Sequence, residues 1–541
     1  MLNSRPDEGK RWGARRIVRG DYSTRGNMVT STGKTLRSAA LHCVQHVDGV
    51  ARADNASAVW TFIVAGLLAV FYFVTSIYIA SHRVFWFDEL FTLHIARLPN
   101  WTAIWSALAN GVDALPPAYY MLVRAFDSLF GPGDVAARVP SALAMVIGLL
   151  LIFDCARRLA DGLHGLIALS VATCSFLPYY GYEARSYAIY FMLAALSLWA
   201  WTYDGAGKKW PAILFGAAFF AGVCFHYYFA MCLVPYVVWE LLRWKPGRRP
   251  SAKLISGIVG AIIPVLLLSP LILSFSHKFA GGYWNRPSFA ELRVIFSQLF
   301  PDGLFLLALI VVWIVLSASG TAKETTLPPM PSAEAIGWLF LSIPLAAFVV
   351  AEWKTNAFYS RYFIGVIPGV AVAFAFLLWR HFRAATRVSM GIFVLLAAWG
   401  AGQQLTVVRH PDKVEATGIR SFLQLESALQ VEGKRYFVFS GPLLFLEAQQ
   451  YSAHPEQCVL LLPSDFNREA KAGPDPYLHQ RLELNLSQYY PLQFWTVDDL
   501  RRHQAESALI EPDEKTLKEI YAAGIFAHTR FSEQVQIYYL Q

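Results

Sequence analysis

Eleven apolar runs punctuate this chain between Ala58 and Val408, and they restrict its fold more than any other feature. They are Ala58–Ala80, Val139–Phe153, Leu163–Tyr182, Tyr187–Tyr203, Pro211–Phe225, Phe229–Leu242, Leu254–Ser276, Gly303–Gly320, Ala335–Ala351, Tyr362–Trp379 and Val388–Val408. A helix crosses the hydrocarbon layer with about 20 such residues. Inside that layer only a helix or a closed barrel satisfies its own backbone polar groups. The expectation is a polytopic α-helical membrane protein with eleven spans. Charged residues make up 16% of the chain, against about 25% in soluble proteins. The net charge of +8 is then an orientation signal, and nucleic acid is excluded as a partner.

Residues 1–57 are polar and basic, with ten Lys/Arg against five Asp/Glu. No apolar core with a cleavage site occurs there, so Ala58–Ala80 reads as an uncleaved signal anchor with a cytoplasmic N-terminal segment. Basic clusters at Arg157-Arg158, Lys208-Lys209, Arg243–Lys253 and Arg380–Arg387 then fall on one side, as the positive-inside rule requires. Thr321–Glu334 is expected on that side too, with little positive excess. The first external loop, about residues 81–138, is expected to hold short amphipathic helices at Asp88–Leu98, Trp101–Asn110 and Ala118–Phe130. The last carries Arg124 and Asp127 at i,i+3, the spacing of an intrahelical ion pair. It reads as lying in the interface; were it a crossing span, every later sidedness would invert.

From about Arg409 the pattern changes. Helical periodicity at Ala416–Gln430, Thr496–Gln504 and Glu514–Ala523 alternates with short apolar runs at Tyr436–Phe439, Val459–Leu462, Ala508–Ile510 and Val535–Leu540. This predicts a small α/β domain over 409–541, outside the cytoplasm. The six cysteines show no metal-ligand spacing and read as small buried hydrophobes. No P-loop or Gly-rich dinucleotide motif is present. Energy for any chemistry must therefore arrive with the substrate.

Three charged clusters are predicted on the outer face: Asp88-Glu89, Glu183-Ala184-Arg185 and Ser360-Arg361-Tyr362. Charges at a membrane boundary are costly unless solvated or used. A carboxylate that takes a proton beside guanidinium groups that grip an anion suits glycosyl transfer from a lipid phosphate. Arginine binds phosphate through a planar fork that lysine lacks. Each cluster also has a plainer reading. Asp88 and Glu89 suit the start of an interfacial helix, Glu183 and Arg185 a solvated pair, and Arg361 an interfacial anchor. His226, Lys278 and Arg286 are further candidates for phosphate contact, with interfacial or loop positions as the alternative.

Trp86-Phe87-Asp88-Glu89, Pro116-Pro117-Ala118-Tyr119-Tyr120, Ala137-Arg138-Val139-Pro140-Ser141-Ala142-Leu143, Tyr182–Ala188 and Ser360-Arg361-Tyr362 with Pro368 occur in order over about residues 58–380. This ordered set resembles the GT-C superfamily of polyprenyl-phosphate-sugar-dependent glycosyltransferases. The branch in question holds the protein O-mannosyltransferases and the lipid A aminoarabinose transferases. The resemblance implies a catalytic acid at Asp88 within an Asp-Glu motif and a second acidic site at Glu183. It further implies juxtamembrane helices in the first loop and an α/β domain after the last span. On the charge chemistry above, Arg361 and Arg185 are the expected phosphate contacts. Two departures stand out: Ala114-Leu115 occupies the place of the branch's Glu-Lys pair, and the branch's second acid aligns near Arg185. The implied protein is an inverting transferase of a bacterial inner membrane, multi-pass. It would move a sugar from a polyprenyl phosphate to a glycan, lipid or protein hydroxyl on the periplasmic side. Metal dependence varies in the superfamily, so a divalent cation (magnesium or manganese) held by Asp88 and Glu183 stays open. The competing class is a lipid or polyprenyl-phosphate transporter. That class favours broken helices, midplane charges and internal repeats, whereas these charges group at one boundary and no repeat is evident.

Overall fold

The computed structural model describes residues 59–203, 207–278, 287–301, 330–355, 357–382, 386–411, 418–467, 475–531 and 536–540. The basic segment 1–57, the predicted span Gly303–Gly320 and Arg286 lie outside those residues. Among the described residues, four helices are long and apolar enough to cross a bilayer: Val59–His82 (α1), Asp134–Leu159, Ser332–Trp353 and Thr386–Arg409. Ala252–Leu267 and Ser269–Lys278 form a helix pair bent by 58° that is together long and apolar enough for a further span. The bend falls just before Pro270, which lacks an N–H and crowds the preceding residue out of helical geometry. Gly162–Thr173, Tyr187–Thr202, Trp210–Phe225, Tyr227–Leu242 and Val366–Phe382 are shorter apolar helices. Every other predicted span falls on one of these helices, and the chain is a multi-pass membrane protein. Apolar side chains such as Leu67, Val70 and Ile213 stand exposed on their outer faces, where lipid replaces water as solvent.

The first loop folds into three helices, Phe87–Ala96 (α2), Trp101–Ala109 (α3) and Ala118–Phe130 (α4). The Asn100 side chain caps α3 by accepting from the Ala103 N–H at 2.9 Å. Two expectations are corrected here. The loop ends before Arg138, because the next helix (α5) begins at Asp134 and buries Arg138 completely. Arg124 and Asp127 are not an intrahelical pair. Asp127 accepts from Arg97 Nε at 3.0 Å, while Arg124 donates to the carbonyls of Ala96, Leu98 and Pro99. Both side chains thus tie α4 to the α2–α3 connection. A third correction concerns Glu334, read as part of a cytoplasmic loop. It sits fully buried in the helix that starts at Ser332, held by Arg380 Nε at 2.7 Å.

The expected span Leu163–Tyr182 is broken. Helix α6 covers Gly162–Thr173, a short α7 covers Leu177–Tyr180, and α8 begins at Tyr187. The break lets Tyr182–Ser186 turn back toward α2. Elsewhere the helices Trp210–Phe225 and Ala252–Leu267 meet backbone to backbone. A Cβ on Gly216 would stand 2.8 Å from the Ser256 carbonyl oxygen, and one on Gly260 would overlap the Gly216 carbonyl. Small residues permit such contact between membrane helices.

After Arg409 the chain forms an α/β domain with a six-stranded sheet in the order β3-β2-β1-β4-β6-β5. Strands β1 (Tyr436–Phe439), β2 (Cys458–Leu461), β3 (Gln493–Trp495) and β4 (Ser507–Ile510) run parallel. Strands β5 (Ala527–Phe531) and β6 (Gln536–Leu540) close one edge antiparallel. Val438 lies between Val459 and Leu509 in register. Phe422 from helix Ile419–Val431 packs against Phe437 and Phe439. This buried two-sided packing explains the continuous apolar runs. The sequence reading missed β3, β5 and the helices Pro442–Tyr451 and Leu478–Leu486. Cys155, Cys174, Cys224, Cys232 and Cys458 are free thiols, all but Cys224 buried.

Candidate active site

The site is built at the start of α2. Trp86 is the extended residue before the helix, and its backbone N–H donates to Glu89 Oε2 at 3.2 Å, which fixes the first turn. Glu89 is completely buried. Arg138 donates to it twice, from Nε and Nη2, both at 2.7 Å. The remaining Arg138 N–H groups go to the carbonyls of Ala80, Arg83 and Val84 at 2.8 to 2.9 Å. All five guanidinium donors are therefore used, and the Phe85 ring covers the cation at 4.3 Å. The Ala184 N–H adds a 2.6 Å bond to Glu89, and Arg83 stands 3.8 Å away. Burial alone would raise the Glu89 carboxyl, but Arg138 and then Arg83 outweigh it and hold it below the usual carboxylate range. A carboxylate so enclosed fastens α1, α2, α5 and the Tyr182–Ser186 turn together, and it has no approach for a substrate. Glu89, expected among the catalytic groups, is placed here as a fastening contact between these elements.

Asp88 points elsewhere. Its Oδ2 lies 2.9 Å from Arg361 Nη1 and 4.0 Å from Arg185 Nη2. Burial pushes its carboxyl up, and Arg361, Arg185 and His479 more than reverse this, so it stays below the usual range. The structure thus brings together the predicted Asp88, Arg185 and Arg361. Arg185 also donates to the Asp88 carbonyl and Thr92 Oγ1, both at 3.1 Å, and to Asp113 Oδ2 at 2.7 Å. Sequence reasoning missed Asp113. Its only signal was an unaccounted carboxylate three residues before Pro116-Pro117.

Glu183, 1% exposed, accepts from Trp86 Nε1 at 2.9 Å. Its carboxylate is directed to the indole, and no contact joins it to Asp88. A cavity of about 630 Å³ opens here, lined among others by Trp86, Tyr180, Glu183, Tyr359 and Arg361. His226, 2% exposed, is packed among the rings of Tyr187, Tyr190 and Tyr362. Burial first, then Arg185 and Arg361, push its imidazole down to about 3, so it is neutral at pH 7. Its Nδ1 accepts from the Tyr228 N–H at 3.3 Å, which leaves the proton on Nε2. Lys278 bonds Asn110 at 3.3 Å at the end of α3 and makes no contact with this cluster. Arg286 lies outside the described residues.

Three buried donors in this cluster have no acceptor among the described residues: Arg185 Nε, Arg361 Nε and His226 Nε2. A buried N–H without a partner costs about 1–3 kcal/mol, more for a charged group. These unpartnered N–H donors, beside Asp88, are suited to the acceptor oxygens of an incoming anion. They do not suit a divalent cation. Asp88 is flanked by two guanidinium groups, Glu183 is committed to Trp86, and no group of three or more His, Cys, Asp or Glu among the described residues could hold a metal.

The fold is shared with a solved membrane protein, and part of the chain matches a family model. The family model of dolichyl-phosphate-mannose-protein mannosyltransferases matches residues 114–273, from the approach to α4 through the bent pair. The crystal structure of ArnT from Cupriavidus metallidurans in the apo state superposes with a TM-score of 0.55 over 89% of this chain and 98% of that one, at 12% identity. The same protein bound to undecaprenyl phosphate gives a TM-score of 0.56 over 88% and 97%, again at 12% identity. No curated protein sequence matches this chain.

Proposed function

We propose that this protein is an inverting glycosyltransferase. It takes a sugar from a polyprenyl-phosphate donor and places it on a hydroxyl of a glycan, lipid or protein at the periplasmic face of a bacterial inner membrane. The observation that carries the reading is the convergence of three unpartnered buried donors, on Arg185, Arg361 and His226, around a carboxylate held ionised. A phosphate monoanion or dianion supplies the acceptors those groups lack. The match to dolichyl-phosphate-mannose transferases and the fold shared with a protein that binds undecaprenyl phosphate support a lipid-linked donor. The basic clusters of the sequence support the sidedness.

In this reading Asp88 accepts the proton of the acceptor hydroxyl as its oxygen attacks the anomeric carbon. The bond from that carbon to phosphate breaks on the opposite face, which inverts the centre. The electron pair leaves with polyprenyl phosphate, and Arg361 and Arg185 stabilise the growing charge. The indole of Trp86, held by Glu183, and the rings of Tyr180 and Tyr359 offer flat apolar faces to the sugar and the first isoprene units.

The test is transfer of label from a panel of radiolabelled polyprenyl-phosphate sugars by the purified protein in lipid nanodiscs. Asp88→Asn is expected to lower turnover by about 10²–10⁴-fold while the protein stays folded at the assay temperature. Parental turnover in that variant would remove Asp88 from the base role.

A further inference from the structure

The C-terminal domain is not merely tethered after the last span. Its helix Leu478–Leu486 and the following turn are strapped to the helices that carry the site. Tyr490 donates to the His94 carbonyl in the last turn of α2 at 2.7 Å, and its ring meets His94 edge-on at 4.7 Å. Tyr489 bonds Ser106 at 2.9 Å and Asn110 at 2.7 Å on α3. Asn485 donates to the Gly111 carbonyl at 3.2 Å. Gly111 turns with φ of 76°, a left-handed conformation that favours glycine, two residues before the Asp113 that grips Arg185. From the other side of the domain, Tyr451 accepts from the Phe85 N–H at 2.7 Å. These bonds go largely to backbone atoms, so they set the path of the chain through the site.

The same helix brings a titratable group to the reacting carboxylate. His479 meets the Phe87 ring edge-on at 4.9 Å and acts electrostatically on Asp88, the next residue. One turn further along, Glu483 is completely buried, and neither of its oxygens has a partner among the described residues. Burial pushes its carboxyl well above the usual range. At i+4 from His479 it shares that residue's helix face. The groups that face His479 are Asp88 on α2, Arg361 beyond it and Glu483 on its own helix.

We propose that the C-terminal domain completes the catalytic centre, with His479 as a positioning residue for Asp88 and Asn485, Tyr489 and Tyr490 as the strap that fixes α2 and the Asp113 loop. The proposal rests on the glycosyl-transfer reading above. It moves no atoms of its own. The acceptor proton still goes to Asp88, and His479 sets the orientation and basicity of the carboxylate that receives it.

The full-length protein in nanodiscs is assayed for label transfer across pH as His479→Ala, His479→Phe and Asn485→Ala/Tyr489→Phe/Tyr490→Phe. His479→Phe keeps a ring against Phe87 and removes the titration, so it separates packing from charge. Both His479 variants are expected to lose about 10-fold in kcat with donor KM unchanged. Their acid limb should move upward, because Asp88 loses a neighbour that favours its ionised form. The strap variant is expected to lose a similar factor in kcat with the acid limb in place. Parental kcat and acid limb in His479→Phe overturn the role of His479. Parental kcat in the strap variant overturns the role of the domain. A parent protein that transfers no sugar overturns the glycosyl-transfer reading, and this inference with it.

Discussion

Asp88 and Glu89 are adjacent carboxylates on one helical turn, and their surroundings could hardly differ more. Glu89 faces inward to a guanidinium whose five donors are all used, with a backbone N–H on one of its oxygens. Asp88 faces two guanidinium groups that each retain an unused Nε–H. The first pairing is closed: every donor meets an acceptor inside the protein. The second is left open, and an unsatisfied donor costs stability that a ligand with acceptor oxygens would restore. Equal charge and adjacent position therefore do not imply equal work. What separates the two groups is whether their partners are saturated.

The contrast can be broken by substitution. The largest effect on stability is expected for Glu89→Gln, which leaves Arg138 buried against a neutral amide. Losing one member of a buried pair costs about 3–5 kcal/mol, and thermal unfolding in detergent would register it; a parental melting temperature would refute the anchoring role. Arg361→Lys comes next. It keeps a charge near Asp88 and loses the fork, so donor affinity should fall by about 1.5–3 kcal/mol while the melting temperature holds. Binding of undecaprenyl phosphate by isothermal titration would read this directly.

An acid titration sharpens the comparison from both sides. Arginines overcome burial at both carboxylates, so their folded pKa values lie below the unfolded ones. The stabilisation is then complete above the unfolded value, near 4. It is lost as pH falls through the folded values. Thermal stability should accordingly be flat above about pH 5 and fall steeply below about pH 4. Glu89→Gln should blunt that fall, and a parental slope in the variant would mean that Glu89 contributes nothing to it. The smallest effect is expected for Asp127→Asn. Its partner Arg97 is 32% exposed, so the pair contributes under about 1 kcal/mol, and transfer should be unchanged.

How much of this was legible in the sequence follows from the range of the forces involved. Spans and first-loop helices are set by local apolar pattern, and the boundaries of α2 to α4 were read within a few residues. The parallel strands β1, β2 and β4 announced themselves as apolar runs. Strand β3, three residues long and only half-buried, carries too little pattern to stand out. Asp88, Arg185 and Arg361 could be singled out because a charge beside a span is itself a signal. Their convergence depends on a broken α6–α7 span and a turn that no periodicity encodes. Arg138 was quoted as part of a motif and placed in a loop, since a guanidinium inside an apolar helix reads as its end until its partner is known. Asp113 lies in a loop, and His479 in a short helix of nine residues. Their relation to Asp88 spans 25 residues in one case and most of the chain in the other, and only tertiary structure joins them.

The glycine contact between Trp210–Phe225 and Ala252–Leu267 carries a mechanical consequence. With carbonyl against Cα at Gly216 and Gly260, there is no layer of side chains between the two rods to act as a bearing. The two helices are therefore expected to tilt as one plank, carrying His226 at its end.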